Sequence, residues 1–237
     1  MSIAEKFEVI ADAVYDKGIS DRDELVWNMI TDNGTRTNFH NAFQYTDFSG
    51  YKFVKPIKPI GYVSQMFYSC QKMKSLPQNL DFSEILLNGG DTSSTYRRSV
   101  FGYCRVLTTI PDLNMRAIGG LEEWFQYCNA LHTIELLRVK RETIYTNTFT
   151  ACEKLAEIRF DGEIGQNISF SGSPLLSTAS IVNIVEHLSD NQSATLTLKT
   201  AAKNNMTFPY TSPQTNVTYN NWDELVATKS GWTISLA

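Results

Sequence analysis

Histidine is scarce in this chain of 237 residues, with three histidines at positions 40, 132 and 187. None of them has a histidine or cysteine partner at the spacing of a zinc site. The sequence also lacks a glycine-rich phosphate loop, a Gly-x-Ser-x-Gly nucleophile elbow and an acidic calcium loop. We therefore expect no metal site, no cofactor and no catalytic residues.

Basic residues are neither in excess nor clustered, since 21 of them face 25 acidic residues for a formal charge of -4. Without a dense Lys/Arg run to neutralise phosphates, nucleic acid is not an expected partner. The first residues lack the basic leader and apolar stretch of a signal peptide, and no later run is long enough to span a bilayer. We expect a cytoplasmic or virion-associated protein with no membrane span, not one exported by the common route.

Cysteine occurs four times, at positions 70, 104, 128 and 152, and each cysteine follows a phenylalanine by three residues. Each of the four segments continues in the form Phe-x-x-Cys-x-x-Leu-x-x-Ile, with Met73 and Leu76 as the conservative replacements in the first. The intervals between successive phenylalanines are 34, 24 and 24 residues, and the longer one contains a polar loop at 88–94. The series ends at Ser173, and a degenerate first coil around Phe43 precedes it.

This internal repeat predicts a solenoid, because an apolar face that one short unit cannot bury becomes a continuous core when several units stack. Apolar residues three apart are expected on one side of a short helical turn. The Leu-x-x-Ile end is expected to extend into a strand that pairs with its neighbours about 4.8 Å away. The cysteines are then small buried side chains, with disulfides or a metal site as the alternatives.

The two ends of the chain differ from the repeats. Apolar periodicity predicts amphipathic helices over residues 3–14 and from Ser20 to Asn33, which form a cap or, alternatively, a docking segment. Near the other end we expect a helix over 177–188, a strand near 195–198, a helix from Asn221 to Val226 and a final strand over 232–236. The predicted α/β architecture has a helical N-terminal cap at 1–40, repeat coils at 41–176 and C-terminal α/β capping coils at 177–237.

The Phe-x-x-Cys-x-x-Leu-x-x-Ile repeat resembles the BspA-like class of leucine-rich repeats. The segments 33–38, 147–149, 165–168 and 232–236 resemble, more narrowly, short repeat proteins encoded by gut Firmicutes and their phages. The resemblance covers residues 24–237. It implies a curved solenoid with no cofactor that serves in adhesion or recognition. A phage tail component would need no signal peptide, so the missing export signal favours that setting over display on a cell surface.

The outward side chains of the strands are the candidate binding surface, because repeat proteins generally bind on such a sheet. Alternation about the buried isoleucine gives one column of Ser75, Thr109, Thr133 and Glu157. The next column contains Pro77, Pro111, Glu135 and Arg159. The tyrosines Tyr68, Tyr103 and Tyr127 are a second candidate surface. Ordinary solvated positions and packing between coils are the respective alternatives.

Two pairs of nearby carboxylates, Glu122 with Glu123 and Asp161 with Glu163, are the residues that acid–base catalysis would use. Acids on a connection between repeats usually form a solvated face. We therefore expect a non-enzymatic recognition or adhesion module that binds a protein or glycan and is associated with a phage tail or a bacterial surface. The alternatives are an intracellular protein-interaction scaffold and, from another class, a carbohydrate-active hydrolase.

Overall fold

The computed structural model describes residues 52–57, 63–76, 78–80, 97–116, 118–190 and 192–237. The predicted N-terminal helices and the degenerate coil at Phe43 lie outside these ranges. The elements in chain order are β1 (Lys52–Ile57), β2 (Gln78–Leu80), β3 (Thr109–Asn114), β4 (Thr133–Arg138), β5 (Glu157–Asp161), β6 (Ile168–Phe170), α1 (Thr178–Glu186), β7 (Ala194–Leu198), α2 (Thr200–Asn204), β8 (Tyr210–Thr211), β9 (Thr218–Tyr219), α3 (Trp222–Ala227) and β10 (Trp232–Leu236).

Strands β3, β4 and β5 form a parallel sheet in which each strand belongs to the next coil of the chain. Ile134 lies opposite Ile110 on one side and Ile158 on the other. An isolated bridge between Ser75 and Thr109 adds the preceding coil to this ladder. Equal positions of the 24-residue repeat therefore meet in register, and the predicted solenoid of stacked parallel strands is confirmed.

The turns before these strands are not helical, so the expectation of a short helical turn is wrong. Each turn contains two residues with positive φ, four positions apart, whereas an α-helix keeps φ negative throughout. Backbone N–H groups consequently donate to the next coil, as from Phe101 N to Trp124 O at 3.0 Å and from Phe125 N to Thr148 O at 3.1 Å. A helix would use these groups within one coil. The positive-φ pairs are Gln65 and Ser69, Ser99 and Tyr103, Glu123 and Tyr127, and Asn147 and Ala151.

A column of phenylalanine rings runs through the buried core. Successive ring centroids are 5.5, 5.8 and 5.9 Å apart along Phe67, Phe101, Phe125 and Phe149. The sequence repeat ends at Ser173, but the column continues, because the ring of Phe170 stacks on that of Phe149 with a centroid distance of 4.5 Å. The fifth ring thus comes from a position three residues before the one that the repeat predicts.

All four cysteines are free and fully buried, which confirms the prediction of buried thiols. Three of the thiols also donate to a phenylalanine carbonyl oxygen of the preceding coil: Cys104 to Phe67 at 3.1 Å, Cys128 to Phe101 at 3.2 Å and Cys152 to Phe125 at 3.1 Å. Burial raises the pKa of Cys128 to about 12. Because the thiolate is the reactive form, these cysteines are expected to be chemically inert.

Helix α1 covers the edge of the main sheet at β5. Ser177 begins the helix as its N-cap, with a side chain that accepts from Ser180 N. Ser180 Oγ accepts from Ile158 N at 2.9 Å, and Asn183 Oδ1 accepts from Phe160 N at 2.7 Å. These two side chains replace the carbonyl groups of a next strand, so β5 amides are satisfied without further sheet pairing.

A second parallel sheet, in the order β6, β7, β10, continues the stack. Leu196 lies opposite Ile168 on one side and Ile234 on the other. Strands β7 and β10 and helix α3 occur where the sequence predicts them, and Asn221 Oδ1 accepts from Glu224 N at 2.9 Å to begin α3.

The stretch between Asn204 and Tyr219, which its composition marks only as polar, contains the antiparallel hairpin of β8 and β9. Glu186, at the end of α1, ties this hairpin to the solenoid. Its carboxylate accepts from Ser212 Oγ at 2.8 Å, Thr215 Oγ1 at 2.7 Å and Tyr219 Oη at 3.1 Å. Glu186 therefore holds in place a segment whose own residues show no strand periodicity.

Candidate binding surface

The first predicted column of outward side chains exists as a register column. Ser75 bridges to Thr109, Thr109 pairs with Thr133, and Thr133 pairs with Glu157. The three hydroxyl residues are half-buried and Glu157 is exposed. The column thus consists of three small hydroxyl side chains followed by one carboxylate.

The second predicted column is exposed at Pro111, Glu135 and Arg159, whereas Pro77 lies outside the described residues. Pairing between β4 and β5 shifts along this column, because Ile134 opposes Ile158 but Leu137 opposes Phe160. Such bulges re-aim side chains and are frequent beside functional sites. Arg159 Nε donates to Glu135 O at 3.0 Å.

Glu157 joins the sheet surface to the start of α1. Its Oε2 accepts from Ser177 Oγ at 3.0 Å and from Ser180 Oγ at 3.3 Å. The carboxylate of this exposed residue is therefore held in place at the end of the first column.

An ion-pair network that the sequence did not predict lies at the carboxyl ends of the same strands. Arg138 Nε donates to Asp112 Oδ1 at 2.9 Å, and its Nη1 donates to Asp161 Oδ2 at 3.0 Å. Asp161 also pairs with Arg116 at 2.9 Å. The hydrogen bonds and charge of Asp112 raise the pKa of Arg138. Arg138 lies opposite Asp161 although the two are 23 residues apart, because the β4–β5 register shifts, so the 24-residue spacing gave no signal for this pair.

The tyrosine column is also present. Ring centroids are 5.2 Å apart between Tyr68 and Tyr103 and 4.6 Å apart between Tyr103 and Tyr127. All three side chains are half-buried, and Ala151 takes the equivalent position in the next coil. Because the rings cover one another, much of this aromatic area is used for packing between coils.

Each carboxylate of the two predicted acid pairs has a partner. Glu122 is buried against Arg97, and Glu123 accepts from Arg98 and Ser99. Asp161 belongs to the network described above, and Glu163 accepts from Ser189 Oγ at 2.8 Å. All four acids therefore make contacts within the fold, and Glu122 is buried rather than on the solvated face that the sequence predicts.

The histidines that the structure describes do not lie together. His132 is exposed, with Nδ1 3.1 Å from Thr133 Oγ1, and His187 is half-buried, with Nδ1 2.7 Å from Asn183 O. His40 lies outside the described residues. Across the described ranges no three His, Cys, Asp or Glu residues are grouped as metal ligands would be.

None of the helices in this part of the chain has the length and apolar character needed to cross a bilayer.

Stacked parallel coils with a shared interior define the class of the protein as a repeat solenoid. The family model of the BspA-type leucine-rich repeat region matches residues 37–164 and, overlapping them, 91–199, with six copies of the repeat. The match covers well over half of the chain, so the protein belongs to the BspA-type leucine-rich repeat family. Comparison with curated proteins and with solved structures gives no match. The family is one of non-enzymatic repeats, and its solenoid indicates a protein-interaction or adhesion module.

Proposed function

We propose that this protein is a non-enzymatic recognition module that binds a protein or glycan partner on the outer surface of β3, β4 and β5. The binding residues in this proposal are Ser75, Thr109, Thr133, Glu157, Glu135 and Arg159. The observation that carries it is the in-register column from Ser75 to Glu157, which lies beside the exposed charges of Glu135 and Arg159.

The chemistry of this surface suits a polar ligand. Hydroxyls donate and accept hydrogen bonds, and carboxylates accept them, which are the contacts that glycan hydroxyls and peptide groups make. The strands that carry the columns are hydrogen-bonded to one another in a parallel sheet, which lowers the cost of ordering the surface on binding.

The setting we propose is a phage tail or a bacterial surface. The short repeat proteins that the chain resembles are encoded by gut Firmicutes and their phages. Mass spectrometry of purified phage particles and of bacterial envelope fractions tests this setting. Recovery of the protein with cytoplasmic partners and from neither fraction would favour the intracellular scaffold instead.

Exchanging charges within the surface tests the binding site. A double variant, Glu135→Lys with Arg159→Glu, keeps the net charge and reverses two exposed side chains of the second column. A matched control, Glu153→Lys with Lys154→Glu, makes the same exchange at exposed positions outside the sheet. The probes are intact bacterial cells and arrayed bacterial glycans and surface proteins.

We expect the surface variant to bind the probes at least about tenfold more weakly than wild type, which is a loss of about 1.4 kcal/mol, while the control binds like wild type. Equal binding by both variants would refute the proposed surface. Absence of wild-type binding to every probe would refute the proposed partner classes.

A further inference from the structure

Strand β10 is the last strand of the sheet ordered β6, β7, β10. It pairs with β7 along its whole length, from Trp232 opposite Ala194 to Leu236 opposite Leu198. On its other side no strand of the described part of the chain pairs with it. Within the described part of the chain, β10 is therefore an edge strand of this sheet.

The hydrogen bonds at the end of β10 show which backbone groups face outward. Ala237 N donates to Leu198 O and Ala237 O accepts from Thr200 N, both at 2.9 Å, so the backbone of Ala237 faces β7. Backbone direction alternates along a strand, so the N–H and C=O groups of Ile234 and Leu236 point away from β7. These groups can pair with another strand.

The edge lacks three of the features that usually prevent pairing with another chain, namely charged side chains, proline and a bulge. Natural edges are blunted by charged side chains, proline, bulges or a covering helix. Residues 230–237 contain no charged side chain and no proline, and β10 pairs with β7 without a bulge. The edge of β5, in contrast, is closed by Ser180 and Asn183 of α1.

We propose that β10 pairs antiparallel with β10 of a second copy of this chain, about a two-fold axis at Ile234. Ile234 then lies opposite its own counterpart, and Trp232 lies opposite Leu236 of the other copy. Because the strand is uncharged, this self-pairing opposes no like charges. A two-fold contact of one patch with itself is the commonest route to a soluble dimer.

The pairing would also cover apolar surface. Ile234 is partly buried against the core, and Leu236 is 44% exposed. Both side chains lie on the same face of the strand as Trp232, so the two copies extend one apolar row across the axis. The proposal is independent of the proposed function, since it uses none of the residues of the β3–β5 surface. A dimer would present that surface twice and bind a repetitive ligand with avidity.

Sedimentation equilibrium over a range of concentrations tests the proposal. Leu236→Lys places a charge at the edge, and Leu236→Pro removes an outward N–H without removing a bond to β7. Leu175→Lys is the matched control, because Leu175 is 46% exposed and lies outside β10. Circular dichroism and a thermal melt establish that each variant is folded.

We expect wild type and Leu175→Lys to be in monomer–dimer equilibrium, and both Leu236 variants to raise the dimer dissociation constant by about tenfold or more. A monomeric wild type at every concentration would overturn the proposal. So would a dimer that both Leu236 variants preserve, or one that Leu175→Lys weakens as much as they do.

Discussion

Arg97 and Glu122 form a buried ion pair, with 2% and 10% of their side chains exposed. Arg97 Nη2 and Nε donate to the two carboxylate oxygens at 2.8 and 3.1 Å, and Trp124 Nε1 donates to Arg97 O at 2.6 Å. The adjacent pair of Arg98 and Glu123 has the same connectivity but is more exposed, at 46% and 19%. The two ion pairs therefore have the same hydrogen bonds and differ in how far they are buried.

Removing the buried carboxylate charge should be far more harmful than removing the exposed one. Glu122→Gln leaves the Arg97 charge buried without its counter-ion, and we expect a loss of about 3 to 5 kcal/mol in the free energy of unfolding. Glu123→Gln should cost about 1 kcal/mol or less, because water and salt screen its pair. Urea denaturation at neutral pH measures both, and equal losses would contradict the assigned burial.

The stability that Glu123 supplies should depend on pH. Burial alone would raise the pKa of Glu123, but hydrogen bonds from Ser99 and Arg98 outweigh it, so the pKa lies below the ordinary value of 4.5. A lowered pKa gives stability that is present above the unfolded pKa and is lost as the pH falls through the folded one. The difference between wild type and Glu123→Gln should therefore shrink on acidification, and a difference that stays constant down to acid pH would be inconsistent with this.

Ser173 has a buried hydroxyl without a hydrogen-bond partner in the described part of the chain. Burying such a group without a partner costs free energy, so Ser173→Ala should stabilise the protein by about 1 kcal/mol. Phe170→Ala, three residues away, should destabilise it by about 3 to 5 kcal/mol, because it removes the fifth ring of the core column. Chemical denaturation measures the free energy of unfolding of both variants. A destabilised Ser173→Ala variant would contradict the packing described for this coil.

At the scale of single elements, helix α1 closes the main sheet at its β5 edge. Asn183→Ala should leave the buried Phe160 N–H without an acceptor, at a cost of about 1 to 3 kcal/mol. Asn167 offers a matched control, since its Oδ1 accepts from Thr195 N at 2.8 Å at an exposed site where water can replace it. Amide hydrogen exchange should accelerate at Phe160 in Asn183→Ala and should change little elsewhere in β5. Unaltered protection of Phe160 would show that α1 does not close that edge.

Sequence spacing predicts the register of the strands, because parallel coils of equal length place Thr109 beside Thr133 without any other information. It also predicts the α3 cap, since Asn221 and Glu224 carry a local signal. It does not predict the turns, because seven of their eight positive-φ positions, such as Gln65 and Ser99, hold residues that do not mark a left-handed backbone, and Asn147 is the exception. The β8–β9 hairpin was also missed, since contacts with Glu186 and not strand periodicity define it.

The sequence likewise predicts one part of the candidate site and not another. Its first column follows directly from the register, so Ser75 to Glu157 could be aligned from the repeat alone. The ion-pair network required long side chains to reach across coils, with Arg138 bonded to residues 26 and 23 positions away. Side-chain reach of that kind depends on the coil-to-coil distance, which spacing along the chain does not supply.

At the scale of the whole molecule, every coil depends on its neighbours. Turn amides, strand ladders, ring stacking and thiol hydrogen bonds all cross from one coil to the next. In such an arrangement the interior is shared, and no single coil buries its apolar face alone. The outer sheet surface is thereby supported by contacts between coils that lie beneath it.

Thiol reactivity tests this shared interior most directly. Burial raises the pKa of Cys104, Cys128 and Cys152, and all four thiols are inaccessible in the folded chain. With an aromatic disulfide reagent, we expect no thiol to react in native buffer and all four to react together across the unfolding transition in denaturant. Rapid modification of the native protein, or thiols that react only after a metal ion is removed, would contradict the account.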